Sequence, residues 1–358
     1  MIKKFLFIFL LLVSPAYSAV TGWYPMANVG YVSEVAAMHG CTLNNNADSN
    51  MAVNMEYLLQ TIDICNGHRT NYGSGTYATQ QAANTVAVND VFERLIEEFD
   101  GFHMFLTNMP AGATFGFHLA AAGNFTIDWG DGSPVQVINR TVPATVLFSH
   151  TYAQAGNYMV TLNGLATAYN AAGQVAAISF QWGLNTTRMT GISGDIGQIF
   201  PILGPAPGDT PHFMYAFAGT GITAIPPDLF AGLRGAFIPW MFYATFQNCT
   251  NLQGIIPGTL FSGLSGAPLP YIFGLTFHNA SGLTGIGEGL FDGLNGPEAV
   301  GMFAATFQGT TGLTGPSARS GGQFIYEKWP GVNVDVGPLC YAGATGLSDF
   351  ANIPSNWK

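Results

Sequence analysis

Charge is what this sequence has least of. Asp, Glu, Lys and Arg together make up 8% of its 358 residues, against about 25% in ordinary soluble domains. Only 10 residues are basic against 20 acidic, for a net charge of -10. Without a basic cluster the chain lacks the electrostatic footprint of a nucleic-acid binder. Cysteine is also sparse, at 4 residues with none in a CxxC pair, so paired-cysteine zinc sites and thioredoxin-type chemistry find no support. Glycine is plentiful at 46 but does not recur at every third position, which excludes collagen. Beyond the N-terminus no apolar run reaches the length of a membrane span, so no transmembrane segment is expected in the mature chain. An outer-membrane barrel would show ten-residue alternating strands throughout, whereas the dominant period here is much longer. Also missing are HExxH, GxSxG, a Walker-type phosphate loop and a GxGxxG after a strand. The chain therefore reads as a non-enzyme, with no catalytic, cofactor-binding or metal-binding residue and no cofactor.

What remains is enough for a fold. Apolar residues reach 48%, sufficient for a core. The 46 glycines and 20 prolines favour frequent turns over long helices. At roughly 150 residues per domain the length implies two or three domains.

Residues 1–18 read as a secretory signal peptide. Lys3 and Lys4 precede an apolar run, Phe5 to Val13, broken by Ser14-Pro15. Ala16-Tyr17-Ser18 then supplies the small residues of a cleavage site after Ser18. The expected location is the cell surface or the medium. All four cysteines lie in the exported part, where Cys41 and Cys65 are a candidate disulfide. Cys249 and Cys340 lie too far apart along the chain for a bridge to be expected, and Cys249 reads as a small buried apolar residue.

Residues 19–105 form an unrecognised, partly helical N-terminal region. Met51 to Ile64 and Val86 to Phe99 carry apolar residues at helical spacing, the second with Glu93, Glu97, Glu98 and Asp100 on its other face. His39, His68 and His103 beside that acidic group are an acid/base or metal alternative to a plain solvated helix face.

Residues 106–178 read as short strands. Phe115, Phe117 and Leu119 alternate, as do Phe125, Ile127 and Trp129, and again Tyr158, Val160 and Leu162. The second strand stops at Gly130-Asp131-Gly132, a tight turn, and this spacing implies a β-sandwich. The run Phe125-Thr-Ile-Asp-Trp-Gly-Asp-Gly132, then Ser149-His-Thr-Tyr152, then Gly156-Asn-Tyr-Met-Val-Thr-Leu162 resembles a polycystic-kidney-disease (PKD)-type immunoglobulin-like domain. The resemblance implies structural roles for Trp129, Gly130, Asp131, Gly132, His150, Tyr152, Gly156 and Tyr158. A calcium site at Asp128 and Asp131 is the sharper alternative, but two carboxylates are few for that ion.

Residues 179–358 repeat. Phe217, Phe246, Phe277 and Phe307 lead similar fragments 29, 31 and 30 positions apart. The first three are followed by Leu229-Phe-Ala-Gly-Leu233, Leu260-Phe-Ser-Gly-Leu264 and Leu290-Phe-Asp-Gly-Leu294. Weaker copies flank them, giving about six units, each of which buries its apolar positions only against its neighbours. The segment around Lys328, Asp335, Asp349 and Lys358 loses the pattern, as an end cap should. The pattern of Phe246 to Leu264 resembles the leucine-rich repeats of BspA-like bacterial surface proteins. The expected fold class is thus mainly β: an immunoglobulin-like (PKD-type) sandwich, then a leucine-rich-repeat-like solenoid, after a small partly helical region.

The two resemblances together imply a non-catalytic secreted or cell-surface adhesion protein whose solenoid binds a protein or glycan. Trp240, Phe242, Tyr243 and Tyr271 are candidate binding aromatics, with core filling as their alternative role. A structural subunit of an extracellular layer or filament, built by self-assembly, is the alternative function. A secreted hydrolase with its site in the N-terminal region is a weaker one.

Overall fold

The computed structural model describes residues 101–171 and 175–358. The expected signal peptide, the two expected N-terminal helices and the candidate Cys41–Cys65 disulfide lie outside the described residues. The architecture is mainly β. Strands β1 (Phe102–Met109), β2 (Thr114–Leu119), β3 (Ala121–Asp128), β4 (Gln136–Arg140), β5 (Val146–Thr151), β6 (Gly156–Tyr169), β7 (Ile178–Leu184) and β8 (Met189–Ser193) form two antiparallel sheets. One has the order β4-β3-β6-β1-β8 and the other β5-β2-β7.

Alternation explains which side chains meet between the sheets. Phe102, Met104 and Leu106 of β1, Phe115, Phe117 and Leu119 of β2, and Phe125 and Ile127 of β3 are all buried. Rings from the two sheets touch there: Phe117 lies 6.1 Å from Trp129, and Phe102 lies 6.3 Å from Phe180. Each such ring contributes about 1.5–3 kcal/mol by leaving water.

The expected boundaries at 105/106 and 178/179 both fall inside strands, β1 and β7. The reason lies in the pairing of the second boundary's neighbours. β7 edges one sheet and β8 edges the other, and both also serve the repetitive part. Ala177 and Phe180 donate their N–H groups to His212 and Ala216, while Thr190 accepts from the Thr223 N–H. The repeats therefore start within the sheets. They also cover one edge of each sheet, which would otherwise present unpaired backbone.

From there the chain stacks tier upon tier with little regular secondary structure. In one tier the N–H groups of Met241, Tyr243, Thr245, Gln247 and Cys249 each close a tight turn on the carbonyl three residues back. The alternate N–H groups, of Trp240, Phe242, Ala244, Phe246 and Asn248, donate to Pro270, Ile272, Gly274, Thr276 and His278 of the next tier. The next tier repeats the scheme toward Val300, Met302, Ala304, Thr306 and Gln308. Every buried donor in these segments is thereby satisfied, as burial demands.

The geometry has a cost. Every fourth residue takes a positive φ: Trp240, Ala244 and Asn248, then Tyr271, Leu275 and Asn279. For a residue with a Cβ this costs about 1–2 kcal/mol.

Aromatic columns offset that cost. Phe217, Phe246, Phe277, Phe307 and Tyr341 stack with centroids 5.4, 5.6, 5.6 and 5.4 Å apart and rings nearly parallel. A second column runs through Phe213, Phe242, Phe273 and Phe303. A third holds Phe230, Phe261 and Phe291. Phe217 also touches Phe102 and Phe180, so the first column continues the core of the sheets. Between the columns Thr245, Thr276 and Thr306 are fully buried. Their hydroxyls bond phenylalanine carbonyls, as Thr276 does to Phe242 and Phe273 at 2.8 Å. On another side of the tiers the pairing is parallel, between β9 (Gly254–Ile256) and β10 (Leu283–Ile286).

The stack ends in aromatic plugs. A short hairpin, β11 (Arg319–Ser320) with β12 (Gln323–Phe324), and helix α1 (Ile325–Lys328) bring Trp329 against Phe303. Trp357 covers Phe303 and Tyr341. Buried Asp349 accepts from the Ser317 N–H, the Ser317 hydroxyl and the Tyr326 hydroxyl.

Candidate functional site

Two groups of side chains qualify, one in the sheets and one on the stack. The first is the turn after β3 with the strand that faces it. Asp131 accepts from the Ser133 N–H at 3.0 Å, and its second oxygen takes a hydrogen bond from His150 Nε2 at 2.7 Å. Burial pushes the Asp131 carboxyl upward, but the Ser133 and His150 hydrogen bonds outweigh it and hold the group at about 2. Asp128 accepts from the Gly130 N–H.

Rings then pile up beside the carboxylate. His150 stacks on Trp129 at 5.4 Å and meets the edge of Tyr152 at 5.0 Å. Tyr152 stacks on Tyr158 at 3.9 Å and donates its hydroxyl to the Trp129 carbonyl at 3.0 Å. Gly130 has a φ of 76°, and a Cβ there would overlap the Met159 carbonyl oxygen. Gly132 turns the chain at a φ of 80°, and Gly156 starts β6 against the Tyr158 ring. All eight motif residues thus come together. Their polar atoms point at one another, at backbone and, from the Trp129 indole N–H, at the Gln136 side-chain oxygen, an arrangement that locks a turn.

Other candidates fall elsewhere. His103 is buried on β1, with Nδ1 3.1 Å from the Thr161 hydroxyl. The remaining members of its proposed acidic group lie outside the described residues. Cys249 and Cys340 are both free and buried. Cys249 fills the slot of Thr220 in the tier before and Ala280 in the tier after, Cys340 fills the slot of Thr306, and Cys249 Sγ donates to the Phe217 carbonyl at 2.9 Å. Burial pushes the Cys249 thiol up to about 11, which leaves it protonated and unreactive. His278 sits in the slot of Gln247 of the preceding tier, and the two side chains meet at 3.3 Å.

The second group is a ridge of aromatic rings on the stack. Trp182 lies 5.9 Å from Tyr215, and Tyr215 lies 5.6 Å from Tyr243. Tyr243 touches Trp240 at 4.8 Å and Tyr271 at 6.5 Å, while Trp240 and Tyr271 stack at 4.2 Å. Trp182 is 66% exposed, and the other four rings are partly buried. Each contributing tier adds to the line, and small residues make room for it. A Cβ at Gly301, where φ is 61°, would run into the Tyr271 ring. Burial, with Tyr215 as a secondary influence, pushes the Tyr243 hydroxyl up to about 12, so that hydroxyl stays neutral. No charged residue occurs anywhere from 235 to 287.

Of the four expected binding aromatics, Trp240, Tyr243 and Tyr271 line this ridge. Phe242 is a correction: it is fully buried in the second phenylalanine column, stacked between Phe213 and Phe273. The signal that places it inside is readable, because Phe213, Phe242, Phe273 and Phe303 recur at the same spacings of 29, 31 and 30 as the leading phenylalanines. Trp182 and Tyr215 were missed, since they precede the strict repeat and only the shared strand β7 brings Trp182 into line.

Among the described residues no cluster of His, Cys, Asp and Glu has metal-ligand geometry, and no helix is long and apolar enough to cross a membrane. No protein-family model, curated protein or solved structure matches this chain.

Proposed function

We propose that this is a non-catalytic, exported interaction protein that acts at the cell surface or outside the cell and binds a protein or glycan through the aromatic ridge. On this reading the sheets are a PKD-type immunoglobulin-like domain, and the tiers are a leucine-rich-repeat-like solenoid that serves as a scaffold. The observation that carries it is the ridge itself. Five contiguous Trp and Tyr rings form a line at the surface, Trp182 largely exposed and the other four partly so, and residues 235–287, which supply three of them, carry no charge, while most phenylalanines of the tiers are packed into columns. Tyr and Trp offer large rigid contact area at low entropic cost and dominate binding hot spots. The signal-like N-terminus and the two family resemblances agree with an exported adhesin.

The experiment is a comparison of the full chain with a Trp182→Ala/Tyr271→Ala double variant on immobilised extracellular proteins and polysaccharides. Binding that the double variant loses supports the reading. Binding that it keeps unchanged removes the ridge from the account.

A second reading, a subunit of an extracellular layer, is favoured by a separate observation. Val135, Val137, Val142, Val146 and Leu147 are exposed along the open edges β4 and β5. Exposed apolar edge strands are templates for pairing between copies. Light scattering over a dilution series separates the two, because ordered assemblies support the second reading and a persistent monomer the first.

A further inference from the structure

Building on the ridge as the binding surface, we propose that its ligand is a neutral, unbranched polysaccharide lying along the stack. Successive sugar rings would rest on Trp182, Tyr215, Tyr243 and the Trp240–Tyr271 pair.

The first argument is periodicity. The rings come from successive tiers and follow one another at 5.9, 5.6 and 6.5 Å. A surface that places an aromatic ring at each step along a line matches a ligand that repeats one chemical unit along a line. The second argument is charge. From 235 to 287 the chain has no Lys or Arg to pair with carboxylate or sulfate groups, and no Asp or Glu to pair with cations. Arg188, which precedes the ridge tiers, donates to the Asn108 carbonyl at 2.5 Å. Protein interfaces are enriched in Arg at their hot spots, and residues 235–287, which carry Trp240, Tyr243 and Tyr271, have none. The third argument is the type of side chain. Aromatic faces cover the C–H faces of a sugar ring, while the tyrosine hydroxyls offer hydrogen bonds at the rim, and both contacts are uncharged.

The fourth argument is presentation. The positive φ angles of Tyr215, Trp240 and Tyr271 are fixed by hydrogen bonds to neighbouring tiers, since each of these residues donates its N–H to the tier that follows. The rings are thus held in place before any ligand arrives, which lowers the entropic cost of binding.

The test is affinity electrophoresis of the full chain in gels cast with hydroxyethylcellulose, soluble mannan or dextran, with alginate as the anionic comparison. The proposal expects at least one neutral polymer to retard the chain and alginate to leave it unretarded. Trp182→Ala should weaken retardation roughly tenfold. This side chain is mostly in solvent, so its loss leaves the fold intact, as an unchanged melting temperature would verify. Failure of every neutral polymer to retard the chain overturns the proposal, and so does equal retardation of Trp182→Ala. The two readings fail separately. If Trp182→Ala loses binding to an immobilised protein while no polysaccharide retards the chain, the glycan falls and the ridge stands. If Trp182→Ala keeps every interaction, both fall.

Discussion

The two halves of the described chain solve the same problem in different ways. In the sheets, backbone groups pair along antiparallel ladders, and side-chain alternation sorts rings inward. In the tiers there is almost no ladder. Alternate N–H groups close local turns, and the rest reach the next tier. Both schemes leave few buried donors unmet, but they differ in what they do with aromatic rings. The sheets trap most of theirs between layers, and the tiers line theirs up in columns with one line left outside, which Trp182 on β7 begins. A stack of turns can therefore extend a row of rings that a single strand only starts.

Four substitutions or titrations sharpen or break this contrast. The largest effect belongs to the columns. Phe277 stacks at 5.6 Å on both Phe246 and Phe307, so Phe277→Ala opens a cavity shared by three tiers. Equilibrium denaturation should show a loss of about 3–5 kcal/mol. A loss below about 1 kcal/mol would mean that the columns do not hold the tiers together. Next comes the turn of the sheets. Gly130→Ala forces a side chain into a positive-φ position against the Met159 carbonyl and should cost about 1–3 kcal/mol, measured by the shift of the melting transition.

A smaller effect tests the buried hydroxyls. Thr276→Val removes two hydrogen bonds to carbonyls and should cost about 1–2 kcal/mol in urea unfolding, while Thr276→Ser keeps most of the stability. The smallest effect is electrostatic. The Asp131 carboxyl is held at about 2, below its ordinary value. It therefore adds stability above about pH 4 and loses that contribution as pH falls toward about 2. The group sits near the surface, so the effect is modest. Asp131→Asn should flatten that part of an acid titration followed by circular dichroism.

Much of this was legible in residue order. The alternating strands, the Gly130-Asp131-Gly132 turn, the buried Leu-Phe-x-Gly-Leu segments and the register of the leading phenylalanines all follow from period and residue type. Three things did not follow. The sharing of β7 and β8 between sheets and tiers depends on pairings of residues far apart in sequence, and no local signal marks it. The positive φ of Trp240, Tyr271 and Leu275 runs against their intrinsic preference and is imposed by the inter-tier bonds. Only Asn248 and Asn279 in those tiers are residues that tolerate it readily. The ridge was half visible, because in the run Trp240-Met-Phe-Tyr243 a turn-rich backbone has neither the strand nor the helix period, so only the recurrence of Phe242 with Phe213, Phe273 and Phe303 sets it apart from its neighbours.

The central claim is that the tiers form a rigid support for the ridge despite lacking regular secondary structure. Amide hydrogen exchange on the full chain tests it most directly. The account predicts that the N–H groups of Phe242, Ala244 and Phe246 exchange as slowly as those of Phe125 and Ile127 in β3. Exchange of those tier amides at the rate of open loops, with β3 still protected, would contradict it.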